Sequence, residues 1–312
     1  MRRPMPLNGA SGGAFTSLLP APLQAAFAAH LGPLRDVRAL TGGSIAHTRR
    51  IDTDRGPYVV KYAAASAASD FAAEADGLAA LAACPAIRVP AVVACDRTDA
   101  HAFLVLEHLD LHPLASATET QAAAAGTALA ELHRTVGTQY GWPRDNCLGH
   151  TPQRNTPTAD WADFFARHRL APQLDLIAQK ARVDDAFSPL LAGGQRLLER
   201  LPQWLAGHAP PPSLVHGDLW HGNAALDAKG HLVLLDPAVH HGDRESDLAM
   251  TRLFGGFPSA FYRGYTEAWP LPEGHARREA LYRLYHVLNH CNLFGVSYRP
   301  KAERLIAALL VA

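Results

Sequence analysis

The stretch Leu214–Pro237, LVHGDLWHGNAALDAKGHLVLLDP, constrains the fold more than any other part of the chain. Two apolar residues lead into a loop carrying His216, Asp218 and Asn223. A hairpin pattern follows: Ala224 to Leu226, a turn over Asp227–Gly230, then His231 to Leu235, with Asp236 closing the second strand. Such a ribbon holds Asp218 and Asp236 at a fixed separation on stiff backbone. Taken singly, each residue has an ordinary reading, because His-Gly-Asp makes a turn, Asn223 caps it and Asp236-Pro237 ends a strand.

Taken together they have a sharper one. His216-x-Asp218, four residues and then Asn223 is the spacing of a protein-kinase catalytic loop, and Asp236 falls where the metal-binding Asp of the DFG segment would stand. Phosphoryl transfer needs these residue types. One carboxylate must orient the attacking hydroxyl and take its proton. The triphosphate must be neutralised by Mg²⁺, which takes hard oxygen ligands from a carboxylate and an amide. A rival reading makes Asp218, His221 and Asn223 ligands of a metal-dependent phosphoesterase. It needs further clusters at ligand spacing, and the neighbours of His240-His241, the other adjacent histidine pair, do not continue one.

Composition narrows the setting. A chain of 312 residues can build one large core or two lobes. Hydrophobic residues at 48% and charged residues at 19% suit a globular protein, and a net charge of zero favours neither nucleic acid nor an anionic membrane as partner. Cys84, Cys95, Cys147 and Cys291 form no C-x-x-C pair, which points to reduced thiols and a cytoplasmic setting. Residues 1–15 lack the apolar core of a signal peptide, and no segment reaches the roughly 18 uninterrupted apolar residues of a membrane helix. The seventeen histidines show no i, i+4 metal pattern.

Before the catalytic-loop stretch the chain reads as a β-rich region and then a helical one. A helix is expected over Leu18–Leu31, then strands at Val37–Leu40 and Thr48–Ile51 around Thr41-Gly42-Gly43-Ser44. That glycine turn would let backbone N–H groups approach phosphate oxygens, although a plain hairpin would look the same. Tyr58–Tyr62 is a strand containing Lys61, and the next helix runs from Ser69, an expected N-cap, to about Ala83. Glu74 falls within that helix's apolar stripe of Phe71, Ala75, Leu78 and Leu81, and Asp76 falls outside it. A carboxylate on a buried face needs a cation, and Lys61 is the candidate; kinases use such a Lys–Glu pair to aim the lysine at phosphates. Strands over Val89–Ala94 and His101–Glu107 follow, and Glu107, His108 and Leu109 form the expected adenine hinge.

The expected architecture is α+β: a bilobal protein-kinase-like fold with a small β-rich nucleotide-binding lobe over residues 1–109. A larger, mainly helical catalytic and substrate-binding lobe would take residues 110–312. Its helices are expected over Thr118–Val136, Trp161–Lys180 with a break at Pro172, Asp184–Ala206, Asp243–Leu253, Pro258–Ala268, Gly274–Leu293 and Lys301–Val311. Residues 138–158 read as a loop region and Ala238–Gly242 as a turn. Asp247 is either a helix-start carboxylate or a brace for the loop around Asp218.

The chain resembles the fructosamine kinase (ketosamine 3-kinase) family, a branch of the aminoglycoside-phosphotransferase-like kinases. VVKY, FLVLEHL, DWADFFARHRLAPQLDLI, LVHGDLWHGN, LLDPAVHHGDRESDLAMTRLFGGFP and LNHCNLFG carry the resemblance. The segment around Phe164–Ile177 and FGGFP favour this family over other small-molecule kinases, which share HGD-x4-N. The resemblance implies that Asp218 is the catalytic base and that Asn223 and Asp236 are Mg²⁺ ligands. It makes Lys61, paired to Glu74, the phosphate lysine, and Glu107 to Leu109 the hinge. His216 and Asp247 support the loop, and Trp220 is either the family's aromatic at the sugar site or a packed loop tryptophan. The implied reaction moves the γ-phosphate of ATP to the sugar 3-hydroxyl of a fructosamine or ribulosamine, free or protein-borne, and the product then eliminates to restore the amine. Residues 41–48, with two glycines, depart from a phosphate-binding pattern. Other acceptors (an aminoglycoside, choline or homoserine) are the alternative. A non-catalytic nucleotide-binding scaffold is disfavoured, because Lys61, Glu74, Asp218, Asn223 and Asp236 are all present.

Overall fold

A computed structural model describes residues 19–40 and 46–311. Gly42, Gly43 and Ser44 of the expected phosphate turn, and Leu18 of the first expected helix, lie outside the described residues. The chain divides into two compact units, Met1–Ala72 with Ala91–His108, and Ala73–Pro90 with Leu109–Ala312. The division along the chain thus falls between His108 and Leu109, while residues 73–90 go with the second unit.

In the first unit, helix α1 (Ala21–Leu31) is followed by β1 (Leu34–Ala39), β2 (His47–Thr53) and β3 (Gly56–Ala64). Helix α2 (Ala68–Ala82) begins here, and β4 (Val92–Arg97) and β5 (His101–Glu107) complete the unit. The strands form an antiparallel sheet in the order β1-β2-β3-β5-β4. Leu23, Phe27 and Leu31 of α1 pack on Ile51, Val60, Phe103 and Val105. Each such fully buried side chain contributes about 1.5–3 kcal/mol. Two expectations shift. Ser69 does not cap α2, since one 3-10 turn over Ala65–Ala67 precedes the helix and the Ser69 hydroxyl donates to Asp70 (3.4 Å). The strand expected over Val89–Ala94 starts at Val92, because Pro90 cannot donate to a ladder. It runs on to Arg97 through largely exposed residues whose pattern carries no burial signal.

The second unit runs through β6 (His112–Pro113), α3 (Glu119–His133), β7 (Asn146–Leu148), β8 (Thr151–Gln153), α4 (Trp161–Phe165), α5 (Ala171–Ala181) and α6 (Ser188–Trp204). Then come β9 (Ser213–Val215), β10 (Ala224–Leu226), β11 (Leu232–Leu234), β12 (His240–Gly242), α7 (Glu245–Leu253), α8 (Ser259–Ala268), α9 (His275–Phe294) and α10 (Arg299–Val311). Thr118 caps α3 in a reciprocal capping box with Gln121. Helices α3 and α8 approach backbone to backbone: a Cβ on Gly126 would lie 1.9 Å from the Phe261 carbonyl, and one on Gly264 2.1 Å from that of Ala123. Only glycine fits at either position.

Three readings of this unit are corrected. Residues 138–158, expected to be loop, contain the β7–β8 hairpin, whose strands are too short to show a period. Ala238–Gly242, expected to be a turn, holds β12, paired antiparallel with β9. The break expected at Pro172 is a π-helical turn over Ala166–Leu170 that joins α4 to α5 without interruption. Pro172 has no N–H for the His168 carbonyl, and Arg169 Nη1 donates to that oxygen instead (2.9 Å).

Candidate active site

The catalytic loop is hung from one buried carboxylate. Asp247, in the first turn of α7, accepts the backbone N–H groups of His216 (2.7 Å) and Gly217 (2.9 Å). It also accepts from His133 Nε2 (3.1 Å), and His133 Nδ1 lies 2.8 Å from the Tyr265 hydroxyl. Burial alone would raise the Asp247 pKa, but these donors hold it below the usual carboxylate value. Asp247 thus meets both of its sequence readings, a helix-start carboxylate on α7 and a brace under the loop. Gly217 makes the turn at φ +82°, and a Cβ there would sit 2.2 Å from the Ala238 carbonyl.

His216 ties the loop to the hairpin. Its Nδ1 accepts the Asp218 N–H (3.2 Å), so Nε2 carries the proton and donates to the Leu235 carbonyl (2.8 Å). Burial pushes its pKa down, in keeping with this neutral tautomer. Ala238 N–H donates to the His216 carbonyl (2.9 Å) and Leu235 N–H to that of Asn223 (3.0 Å). The loop and the segment around Asp236 are thus locked to each other across short backbone bonds.

Asp218 and Asn223 meet directly. The Asn223 amide donates to the Asp218 carbonyl (3.0 Å) and to its carboxylate Oδ2 (3.3 Å). Burial, then the negative charges of Asp236 and Asp247, push the Asp218 carboxyl up to about 7, and the Asn223 hydrogen bond only partly offsets them. A carboxylate so raised takes a proton readily near neutrality. Because the Asn223 Nδ2 is spent on Asp218, its Oδ1 is the atom left to act as a ligand. Asp236 is exposed and sits at φ +52°, the sole non-glycine residue with positive φ among the described residues. An amide oxygen and a carboxylate beside a second carboxylate form a hard, anionic donor set that fits Mg²⁺.

Trp220, half-buried, places its ring 4.9 Å from that of His221 and 6.3 Å from that of Phe254. The remaining expected residues lie elsewhere in the chain. In the first unit, Lys61 is buried in β3 between Thr48 of β2 and Leu104 of β5. Glu107 ends β5 and accepts Ala91 N–H at Oε2 (3.2 Å), and His108 Nε2 lies 3.3 Å from Arg50. In the second unit, Leu109 follows the boundary, Glu74 is half-buried in α2, and exposed Asp76 accepts the Trp142 indole N–H (2.7 Å). His133 and Tyr265 were not expected in the site. His133 reaches Asp247 across 114 residues of sequence and Tyr265 across 132, and the one local signal is the apolar run of α3 that buries His133.

Against known proteins, a model of the fructosamine kinase family matches residues 24–312. The chain is 41% identical to a probable ketoamine kinase of Synechocystis, over 89% of this chain and 91% of that one. It is 38% identical to a chloroplastic protein-ribulosamine 3-kinase of Oryza sativa subsp. indica, over 86% and 77%. Among solved structures, a candidate fructosamine-3-kinase of Haemophilus somnus superposes with a TM-score of 0.82 at 30% identity, covering 92% of this chain and 96% of that one. The aminoglycoside phosphotransferase APH(2'')-Ib shares the fold alone, at a TM-score of 0.63 and 16% identity over 94% and 97%.

Proposed function

The chain belongs to the fructosamine kinase family, and from that premise we propose that it transfers the γ-phosphate of ATP to the 3-hydroxyl of a ketosamine. The observation that carries the reading is Asp218: a carboxyl pushed up to about 7, hydrogen-bonded to the Asn223 amide at 3.3 Å and suspended from Asp247. In this reading Asp218 orients the sugar hydroxyl and accepts its proton as the oxygen attacks phosphorus. Asn223 Oδ1 and Asp236 would hold Mg²⁺, which supplies charge neutralisation at the phosphates. Trp220 offers an apolar wall for the sugar beside the base. The family resemblance assigns Lys61 to the phosphates and the backbone of Glu107 and His108 to adenine. The phosphorylated adduct eliminates and returns the amine, which makes the enzyme a repair deglycase.

No helix among the described residues is long and apolar enough to cross a membrane. The buried thiols of Cys84 and Cys291 are free, which suits a cytoplasmic enzyme. The test is ADP release with ribuloselysine, fructoselysine and an aminoglycoside side by side. Turnover with a ketoamine and none with the aminoglycoside is expected. Turnover confined to the aminoglycoside would replace the acceptor, and ATP binding without turnover on any acceptor would replace the reading by a scaffold.

A further inference from the structure

The family-marking segment DWADFFARHRLAPQLDLI has no role in the chemistry above, yet it delivers a fully buried arginine. Arg169 sits in the π-helical turn and has no carboxylate partner among the described residues. It donates to the carbonyls of Arg154 (2.7 Å) and His168 (2.9 Å), to the Asn155 side-chain oxygen (2.7 Å), and stacks over Phe164. Burial lowers its pKa to about 10, so it stays charged near neutrality.

Arginine donates hydrogen bonds and never accepts them, and this fixes the amides beyond it. Asn155 must present Oδ1 to Arg169, so its Nδ2 faces Asn146 Oδ1 (3.0 Å). Asn146 Oδ1 also receives Gln153 Nε2 (2.8 Å), and Asn146 must therefore turn its own Nδ2 to the Val239 carbonyl (2.9 Å). Gln153 Nε2 donates in addition to the Ala238 carbonyl (3.2 Å), and its Oε1 accepts the Tyr285 hydroxyl (2.7 Å). The three amide side chains are buried, so water does not compete for them. The N–H groups of the β7–β8 hairpin thus end on the two residues after Asp236-Pro237. Ala238 is also the residue that donates to His216 and whose carbonyl lies under Gly217.

We propose that Arg169 is a positioning residue for phosphoryl transfer. It sets the polarity of the Asn155–Asn146–Gln153 chain, so that two N–H donors clamp the Ala238 and Val239 carbonyls and fix Asp236 relative to the Gly217–Asp218 turn. This rests on the kinase reading above. A merely structural Arg169 would need any acceptor at position 155, whereas the clamp needs an acceptor and a donor there.

Asn155→Asp separates the two roles. It keeps an oxygen for Arg169 and gives that guanidinium a counter-charge, but removes the N–H shared by Asn146 Oδ1 (3.0 Å) and the Arg144 carbonyl (3.1 Å). Expected are a folded protein, a kcat lower by ~10–10²-fold, little change in the KM for ATP, and faster amide exchange at Gly217 and Ala238 measured on the free protein. Arg169→Lys, which is still donor-only, should retain most of kcat. Wild-type kcat and wild-type exchange in Asn155→Asp would overturn the proposal. If that variant does not fold, Asn146→Asp decides, because it keeps the acceptor for both donors and removes only the N–H to Val239. Wild-type kcat there overturns the proposal, and a kcat loss with faster exchange at Ala238 supports it. Wild-type turnover is measured in the same assay, so its absence counts against the kinase reading, and a variant with unchanged kcat beside an active wild type counts against the clamp alone.

Discussion

Two aspartates flank strand β10 and have opposite fates. Asp227, at the hairpin turn, is buried and accepts the N–H groups of Lys229 (2.9 Å) and His231 (2.9 Å), with Arg88 at 3.2 Å and the His231 ring at 3.2 Å. Burial pushes against it, but these donors hold its pKa down to about 2. Asp218, before the strand, has one amide on its carboxylate and two further carboxylates nearby, and rises to about 7. The hairpin thus carries one carboxylate whose charge is fully solvated by protein and one whose charge is left undersupplied. The first holds the turn. The second is the base of the proposed reaction, held by the Asn223 amide and, through the backbone of His216 and Gly217, by Asp247.

The largest expected effect breaks the second half of that contrast. Asp218→Asn should lower turnover by ~10²–10⁴-fold, the usual contribution of a positioned base, while Mg²⁺–ATP binding persists in titration calorimetry. It should also stabilise the free protein. The Asp218 pKa is raised in the folded state, so between about pH 4, where the unfolded carboxyl ionises, and about pH 7 the folded state keeps a proton that the unfolded state loses. Stability therefore falls as pH rises through that window. The substituted amide does not titrate, so the variant's melting temperature should exceed that of the wild type above pH 7. Near wild-type turnover would remove Asp218 from its role.

Next in size is the brace. Asp247→Asn replaces an ion that accepts three donors with an amide that must turn its own N–H toward one of them. A buried donor left unpaired costs ~1–3 kcal/mol. The expected result is a lower midpoint in urea and a turnover loss smaller than that of Asp218→Asn, since the base survives on a loosened loop. Unchanged midpoint and unchanged turnover together would mean that the loop holds itself.

What could be read from the sequence follows from how local each signal is. His216, Asp218 and Asn223 lie within eight residues because one turn must present them together, and Ala224–Leu226 is where the pattern put it. β5 matches its expected span, His101–Glu107, because its interior residues are buried and its ends are polar. β12 read as a turn because His-His-Gly has no strand character; the ladder to β9 creates it. The β7–β8 hairpin escaped for a related reason: its polar residues Asn146 and Gln153 look like loop, and they are buried only because Val239, Ala238 and Tyr285 satisfy them. His133 could not be found locally, as its partners lie in α7 and α8. Chemistry compressed into one loop is legible, and chemistry supported from across the unit is not.

The smallest effect tests the first half of the contrast. Asp227→Asn keeps an oxygen for the N–H groups of Lys229 and His231 and loses the charge facing Arg88, which is 40% exposed and so contributes little at neutral pH. Turnover should match wild type. The difference should appear only in acid. Asp227 keeps its charge in the folded state down to about pH 2, while the unfolded chain takes up a proton near pH 4, so the stability it provides is present above that range and is lost as pH falls through it. Melting curves at pH 5 and pH 3 should therefore converge in Asp227→Asn relative to the wild type. An equal drop in both proteins would show that the turn aspartate is no better solvated by the protein than by water, and the two ends of β10 would no longer differ in kind.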